Sequence, residues 1–130
     1  SGDWSSDVCS SDLGDVFTWE NVWPAIADAL GMEAGESGRE LLAETCYNED
    51  LWRQIVDHHR LQPHGIRDLV GDSFYYADAL FNTGRDQPPP PALVSTIKLR
   101  QAGFTECIDT EDMFYKWFDY LRDLNILPPR

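Results

Sequence analysis

Asp109-Thr110-Glu111-Asp112-Met113-Phe114-Tyr115-Lys116-Trp117-Phe118-Asp119-Tyr120-Leu121 carries the clearest helical signal in the chain. Met113, Phe114, Trp117, Phe118 and Leu121 fall on one side of a helical projection, an apolar stripe that asks for a buried partner. Asp109 or Thr110 is placed to cap the first turn. Glu111 and Asp112 follow at its positive end, where the helix dipole favours carboxylates.

Working outward from this stretch, the pattern stays helical. Trp19, Val22, Trp23, Ile26, Ala29 and Leu30 repeat at the same spacing and Gly31 ends the run. Pro24 fits if Asn21 is the cap, because it then falls in the first turn where no intrahelical bond is lost. From Arg39 to Leu61 the apolar set is Leu41, Leu42, Leu51, Trp52, Ile55 and Val56. Asn48-Glu49-Asp50 allows either one bent helix or two shorter ones. A third helix is predicted from Ile66 to Asn82, with an apolar sector wide enough to be buried on two sides or to face a cavity on one. Gly84 to Pro91 reads as a loop whose Pro88-Pro89-Pro90-Pro91 run extends as a polyproline spacer. A short helix from Ala92 to Gln101, stopped by Gly103, and a brief extended segment over Thr105–Ile108 lead back to the final helix. The expected fold class is mainly α, with at most one or two short strands.

Composition bounds the function. Of the 130 residues, 42% are hydrophobic, which is enough for one packed domain. A net charge of −13 argues against nucleic acid and anionic membranes, both of which demand a basic face. No apolar run approaches the roughly 20 residues of a bilayer span. Cys9, Cys46 and Cys107 are odd in number and far apart, so a reduced, cytoplasmic setting is expected rather than a disulfide framework.

The N-terminus reads differently. Asp3-Trp4-Ser5-Ser6-Asp7-Val8-Cys9-Ser10-Ser11-Asp12-Leu13 has no helical or strand period and resembles the translation of a sequencing-library adapter. Residues 1–13 are therefore expected to be an artefactual or disordered segment, and 14–130 the folded domain.

A self-contained active site is not visible. Gly31, Gly35 and Gly38 have the wrong spacing for a phosphate loop and follow no strand. His58, His59 and His64 share no helical face, because Pro63 intervenes. Glu49-Asp50 and Glu111-Asp112 are neighbours on turns, without the two distinct environments an acid–base pair requires. No catalytic, cofactor-binding or metal residue is assigned.

The order of several motifs resembles one family. Gly14-Asp15-Val16-Phe17-Thr18-Trp19 with Trp23-Pro24-Ala25-Ile26-Ala27 is similar to its "Asn-Gly-Asp-x-Phe-x-Trp … Trp-Pro-x-Ile-Ala" segment, with Leu13 in the place of Asn. Trp52-Arg53-Gln54-Ile55 with His58-His59-Arg60-Leu61, and Phe74 to Leu80 around Tyr75-Tyr76-Ala77-Asp78, resemble two further stretches. So does the closing Ser95-x-x-Lys98-x-Arg100-x-x-Gly103-Phe104 … Asp109-Thr110. The family is the progesterone 5β-reductase/iridoid-synthase-like branch of the extended short-chain dehydrogenases/reductases, in the NAD-dependent epimerase/dehydratase superfamily.

The resemblance implies that 14–130 is a C-terminal, helical substrate-binding lobe whose missing partner is an N-terminal Rossmann domain. That domain would bind NADP(H) or NAD(H) and hold the catalytic Tyr and Lys; none of these is bound or held by this fragment. Tyr75 and Tyr76 do not supply the family's Tyr-x-x-x-Lys pair, since Ala79 and Leu80 stand where the lysine would be. Tyr76 matches the aromatic that lines the family's substrate pocket, with Phe74 as its neighbour; the family has Phe at the position of Tyr76. The substrate class implied is an enone or related carbonyl compound, with Trp19, Trp23 and Phe74 on faces orphaned by the absent half. The competing reading is an independent acidic helical interaction domain with a closed core and no catalytic activity.

Overall fold

The computed structural model describes the main chain of residues 8–10 and all of residues 14–36, 38–81, 83 and 91–130. The chain order is β1 (Val8–Ser10), β2 (Val16–Thr18), α1 (Trp19–Ala29), α2 (Leu42–Thr45), α3 (Glu49–His59), α4 (Ile66–Val70), α5 (Ser73–Leu80), α6 (Ile97–Gln101) and α7 (Thr110–Asp123). The fold is mainly α with a two-stranded antiparallel sheet, in register Val8 to Thr18, Cys9 to Phe17 and Ser10 to Val16. Main-chain pairing needs no side-chain period, which is why an aperiodic stretch still runs as a strand at Val8–Ser10.

Helix α7 forms where its stripe predicts. The Asp109 carboxylate accepts from the N–H groups of Glu111 (2.8 Å) and Asp112 (3.1 Å). The helix packs on α1, and Val22, Ala25, Ile26, Ala27 and Ala29 of α1 are buried. Met113, Phe114, Phe118 and Leu121 are half-buried beside them, whereas Trp117 is turned to solvent, 52% exposed. Two polar ties hold the pair together. Tyr115 donates to the Asp28 carboxylate at 2.6 Å, and the Arg122 guanidinium donates to the Ala29 carbonyl at the end of α1. Beyond α7, Gln62 N–H donates to the Asn125 carbonyl (2.8 Å) and the Asn125 amide to the Arg60 carbonyl (2.7 Å), tying the end of α3 to the end of α7.

Four elements differ from expectation. Helix α1 begins at Trp19, capped by the Thr18 hydroxyl, which accepts from the Asn21 N–H at 3.2 Å, so Asn21 lies inside the helix. Pro24 then sits past the first turn and removes the N–H that would have bonded to the Glu20 carbonyl. The Ile66–Asn82 helix is two helices, because Gly71 takes φ 53°, ψ −127°, which no helix accommodates. The 39–61 stretch, by contrast, takes the second of its two expected forms, the separate helices α2 and α3, with Asn48 capping α3 through the Leu51 N–H. The helix expected from Ala92 begins at Ile97, and Thr105–Ile108 forms no strand. The end of the expected third helix at Asn82 and most of the proline run lie outside the described residues.

The short helices are held from a distance. The Asp78 carboxylate of α5, buried, accepts from Leu42 N–H (2.8 Å) and Ala43 N–H (2.9 Å) at the start of α2. The Glu49 carboxylate of α3 accepts from Ile66 N–H (3.2 Å) and Arg67 N–H (3.3 Å) at the start of α4. Asp15, beside β2, accepts from Thr110 N–H (2.9 Å) at the start of α7. Each carboxylate satisfies orphan donors that the helix cannot pair itself.

The buried apolar set is small. Besides the α1 residues it contains Val56 and Leu61, and among the described residues no large side chain is fully buried.

Replacing Asp78 by Ala is expected to cost about 1–2 kcal/mol, the usual loss of a helix cap, read as a lower urea midpoint, with Asp78→Asn intermediate. The Asp15 carboxyl is held below its ordinary value, chiefly by hydrogen bonds from the Thr110 side chain and N–H. A depressed folded-state value contributes stability that is present above about pH 4 and is lost as pH falls toward that depressed value. The urea midpoint of Asp15→Asn should accordingly fall less between pH 5 and pH 3 than that of the parent chain.

Candidate functional site

The two residues singled out by resemblance stand on α5 but do not share a pocket. Phe74 packs inward, edge-on to the Tyr47 ring, with centroids 4.8 Å apart and planes at 74°. Tyr47 is fixed in turn by its hydroxyl, which donates to the Gly71 carbonyl at 2.6 Å, and by the Arg67 guanidinium, 3.9 Å from its ring centroid. Phe74 therefore braces the corner between α4 and α5. Tyr76, two positions on and so on the opposite side of the helix, is 75% exposed.

Among the described residues a concave surface lies between the start of α1, the 34–40 loop, α2 and the end of α5. It is a cavity of about 570 Å³ walled by Trp19, Trp23, Pro24, Leu42 and Phe81, with Ala34, Gly35, Gly38 and Thr83. Glu20, Glu36 and Glu40 also face it. That volume falls within the range usual for small-molecule sites, roughly 300–1,000 Å³.

Local structure explains each wall. The Thr18 cap sets where α1 starts, and Trp19, Glu20, Trp23 and Pro24 then fall on one face of it. Trp19 is wedged edge-on between Phe17 (5.5 Å, 90°) and Phe81 (5.3 Å, 72°), which fixes its ring plane. Leu42 is placed by the Asp78 cap. Trp19 and Trp23 belong to a family motif noted above, but Phe81 and Leu42 were not legible as pocket residues. The only signal in the sequence was the over-wide apolar sector between Ile66 and Asn82.

The starts of three helices are already occupied by carboxylates. The N–H groups opening α2, α4 and α7 are taken by Asp78, Glu49, Asp15 and Asp109, so a phosphate finds neither free donors nor positive field there. Among the described residues, no three His, Cys, Asp or Glu side chains converge to hold a metal ion. His58 and His59 stack edge-on at 4.6 Å without a third partner of that kind. The Tyr115 hydroxyl is raised above its ordinary value, mainly by its hydrogen bond to Asp28, so it stays protonated at neutral pH. Among the described residues, no helix is long and apolar enough to cross a membrane.

No family model matches the chain. It is nonetheless similar to individual characterised proteins over nearly its whole length. It is 32% identical over 119 residues, 88% of the chain, to an (S)-8-oxocitronellyl enol synthase of Antirrhinum majus. It is 27% identical over 129 residues, 95% of the chain, to the protein of that name in Catharanthus roseus. It is 30% identical over 131 residues, 88% of the chain, to the short chain dehydrogenase gsfE of Penicillium aethiopicum. The chain spans about three tenths of the length of these relatives: 29%, 31% and 33% respectively. Homology across the chain is thus to iridoid-synthase-like proteins of the short-chain dehydrogenase kind, as the motifs implied.

Proposed function

We propose that this chain, a member of the iridoid-synthase-like branch of the short-chain dehydrogenases, is the C-terminal substrate-side lobe of an NAD(P)H-dependent reductase. In that role it supplies a wall and lid of the pocket where an enone or related carbonyl compound is reduced. The observation that carries the reading is the position of the cavity: its aromatic walls, Trp19 and Trp23, come from the family segment that opens the domain.

The dinucleotide fold and the catalytic Tyr and Lys would lie on the part of the relatives that this chain does not span. NADP(H) or NAD(H), when bound there, supplies the hydride. What this chain's residues do is confine and orient the substrate: Trp19, Phe81 and Leu42 exclude water and Trp23 closes the rim. Tyr76, exposed on α5, would meet substrate or the Rossmann half only when the two halves close over one another. Phe74 would act through Tyr47 as a brace. A cytoplasmic setting accords with free Cys46 and Cys107.

The exposed apolar side chains favour this reading over an independent acidic interaction domain, which calls for a closed core. Trp23 (49%), Leu93 (62%), Ile97 (64%) and Trp117 (52%) remain open.

Purified 1–130 should show no NADPH-dependent enone reduction, and turnover by this polypeptide alone would overturn the proposal. In the full-length protein, Trp19→Ala and Trp23→Ala should raise KM by about tenfold with a smaller change in kcat, the pattern of lost uniform binding.

A further inference from the structure

Two walls of the cavity are tied to each other by one side chain. Phe81, which follows α5, and Leu42, which opens α2, both line it. Asp78 lies one turn before Phe81 and is buried, with 9% exposure. Its two carboxylate oxygens accept separately, one from Leu42 N–H (2.8 Å) and the other from Ala43 N–H (2.9 Å). Helix α2 is only 4 residues long, and Leu41 at its own cap position makes no side-chain hydrogen bond to it. The main chain at Leu42 is therefore located by α5 rather than by the loop that leads into α2.

A helix this short does not fix its own position. A two-oxygen anchor fixes both the place and the direction of its first turn, because two N–H groups must meet one planar carboxylate. Moving Leu42 relative to Phe81 would break at least one of these bonds. We propose that Asp78 is the positioning residue of the pocket. Acting through Leu42, it sets the spacing between the α2 and α5 walls and so decides how tightly a neutral carbonyl compound is held. Its carboxylate is engaged with α2, so it acts without touching the ligand. The assignment deepens the substrate-pocket reading and rests on it. Asparagine in its place keeps the shape but offers one acceptor, and its amide nitrogen then faces an N–H.

The test titrates the 1–130 chain, by ligand-observed NMR, with 4-phenylbutan-2-one. This neutral ketone has no conjugated double bond for the free thiols of Cys46 and Cys107 to attack. Asp78→Ala and Leu42→Ala are each expected to weaken binding about fivefold, the scale of losing much of one aliphatic wall. The double variant should bind no more weakly than either single one, since both changes remove the same wall. Asp78→Asn should fall between the parent and Asp78→Ala, and it takes the place of Asp78→Ala if that chain loses the parental circular dichroism. Adding Leu41→Asp to the Asp78→Ala chain supplies a local cap, which should restore the urea midpoint but not the affinity. Four results would overturn the proposal: no binding of the ketone by the parent, unchanged affinity in the Asp78 variants, additive losses in the double variant, or affinity regained with the Leu41→Asp cap. Each is distinguishable from failure of the reductase reading, which is decided by turnover of the full-length protein.

Discussion

A carboxylate reaching across the fold to the open end of another helix is the interaction on which this structure depends. Asp15, Glu49 and Asp78 each do so, for α7, α4 and α2. Helices as short as α2 and α4 do not persist on local hydrogen bonds, since nucleation costs more than one turn returns. The remote carboxylate removes two penalties together, the unpaired N–H groups and its own need for a counter-charge. This also explains how so acidic a chain folds around so few cations: part of its negative charge is spent on helix ends rather than on Lys or Arg.

The same kind of contact joins motifs that are distant in this sequence. Asp15 of the opening segment bonds to Thr110 of the closing Asp-Thr, ninety-odd residues on. Gly14, with φ near +92°, lies against the Arg100 guanidinium of the Ser-x-x-Lys-x-Arg stretch. Asp78, in the stretch that resembles the family's Phe-Ala-Asp segment, anchors α2. The opening and closing motifs, far apart along the chain, thus meet at the two ends of one hydrogen bond.

What could be read from sequence follows the range of the forces involved. Helix α7 was legible because its stripe and its Asp109 cap are both local. Helix α1 was displaced at its start because Pro24 suggested a later cap, whereas Thr18 bonding to Asn21 outweighs one missing main-chain bond. The break at Gly71 was hidden inside an apolar pattern that continues on both sides of it. The cavity was legible only in part. Trp19 and Trp23 announce themselves, but Phe81 and Leu42 arrive there through Asp78, a contact between residues 36 apart. Tyr76 shows the reverse case: matched by its neighbours, it points to solvent.

The small sheet has a practical consequence for anyone handling the protein. β1 pairs with β2 as antiparallel main chain, with Val8 opposite Thr18 and Ser10 opposite Val16. Such an edge does not discriminate by side chain, so a purification tag or fusion linker placed before Gly14 competes for it on equal terms. Tags rich in Thr or Val would lengthen the hairpin, and those rich in Pro would abolish it. Stability values measured on differently tagged versions would then differ for reasons unrelated to the helices, and comparisons among variants call for one common leader.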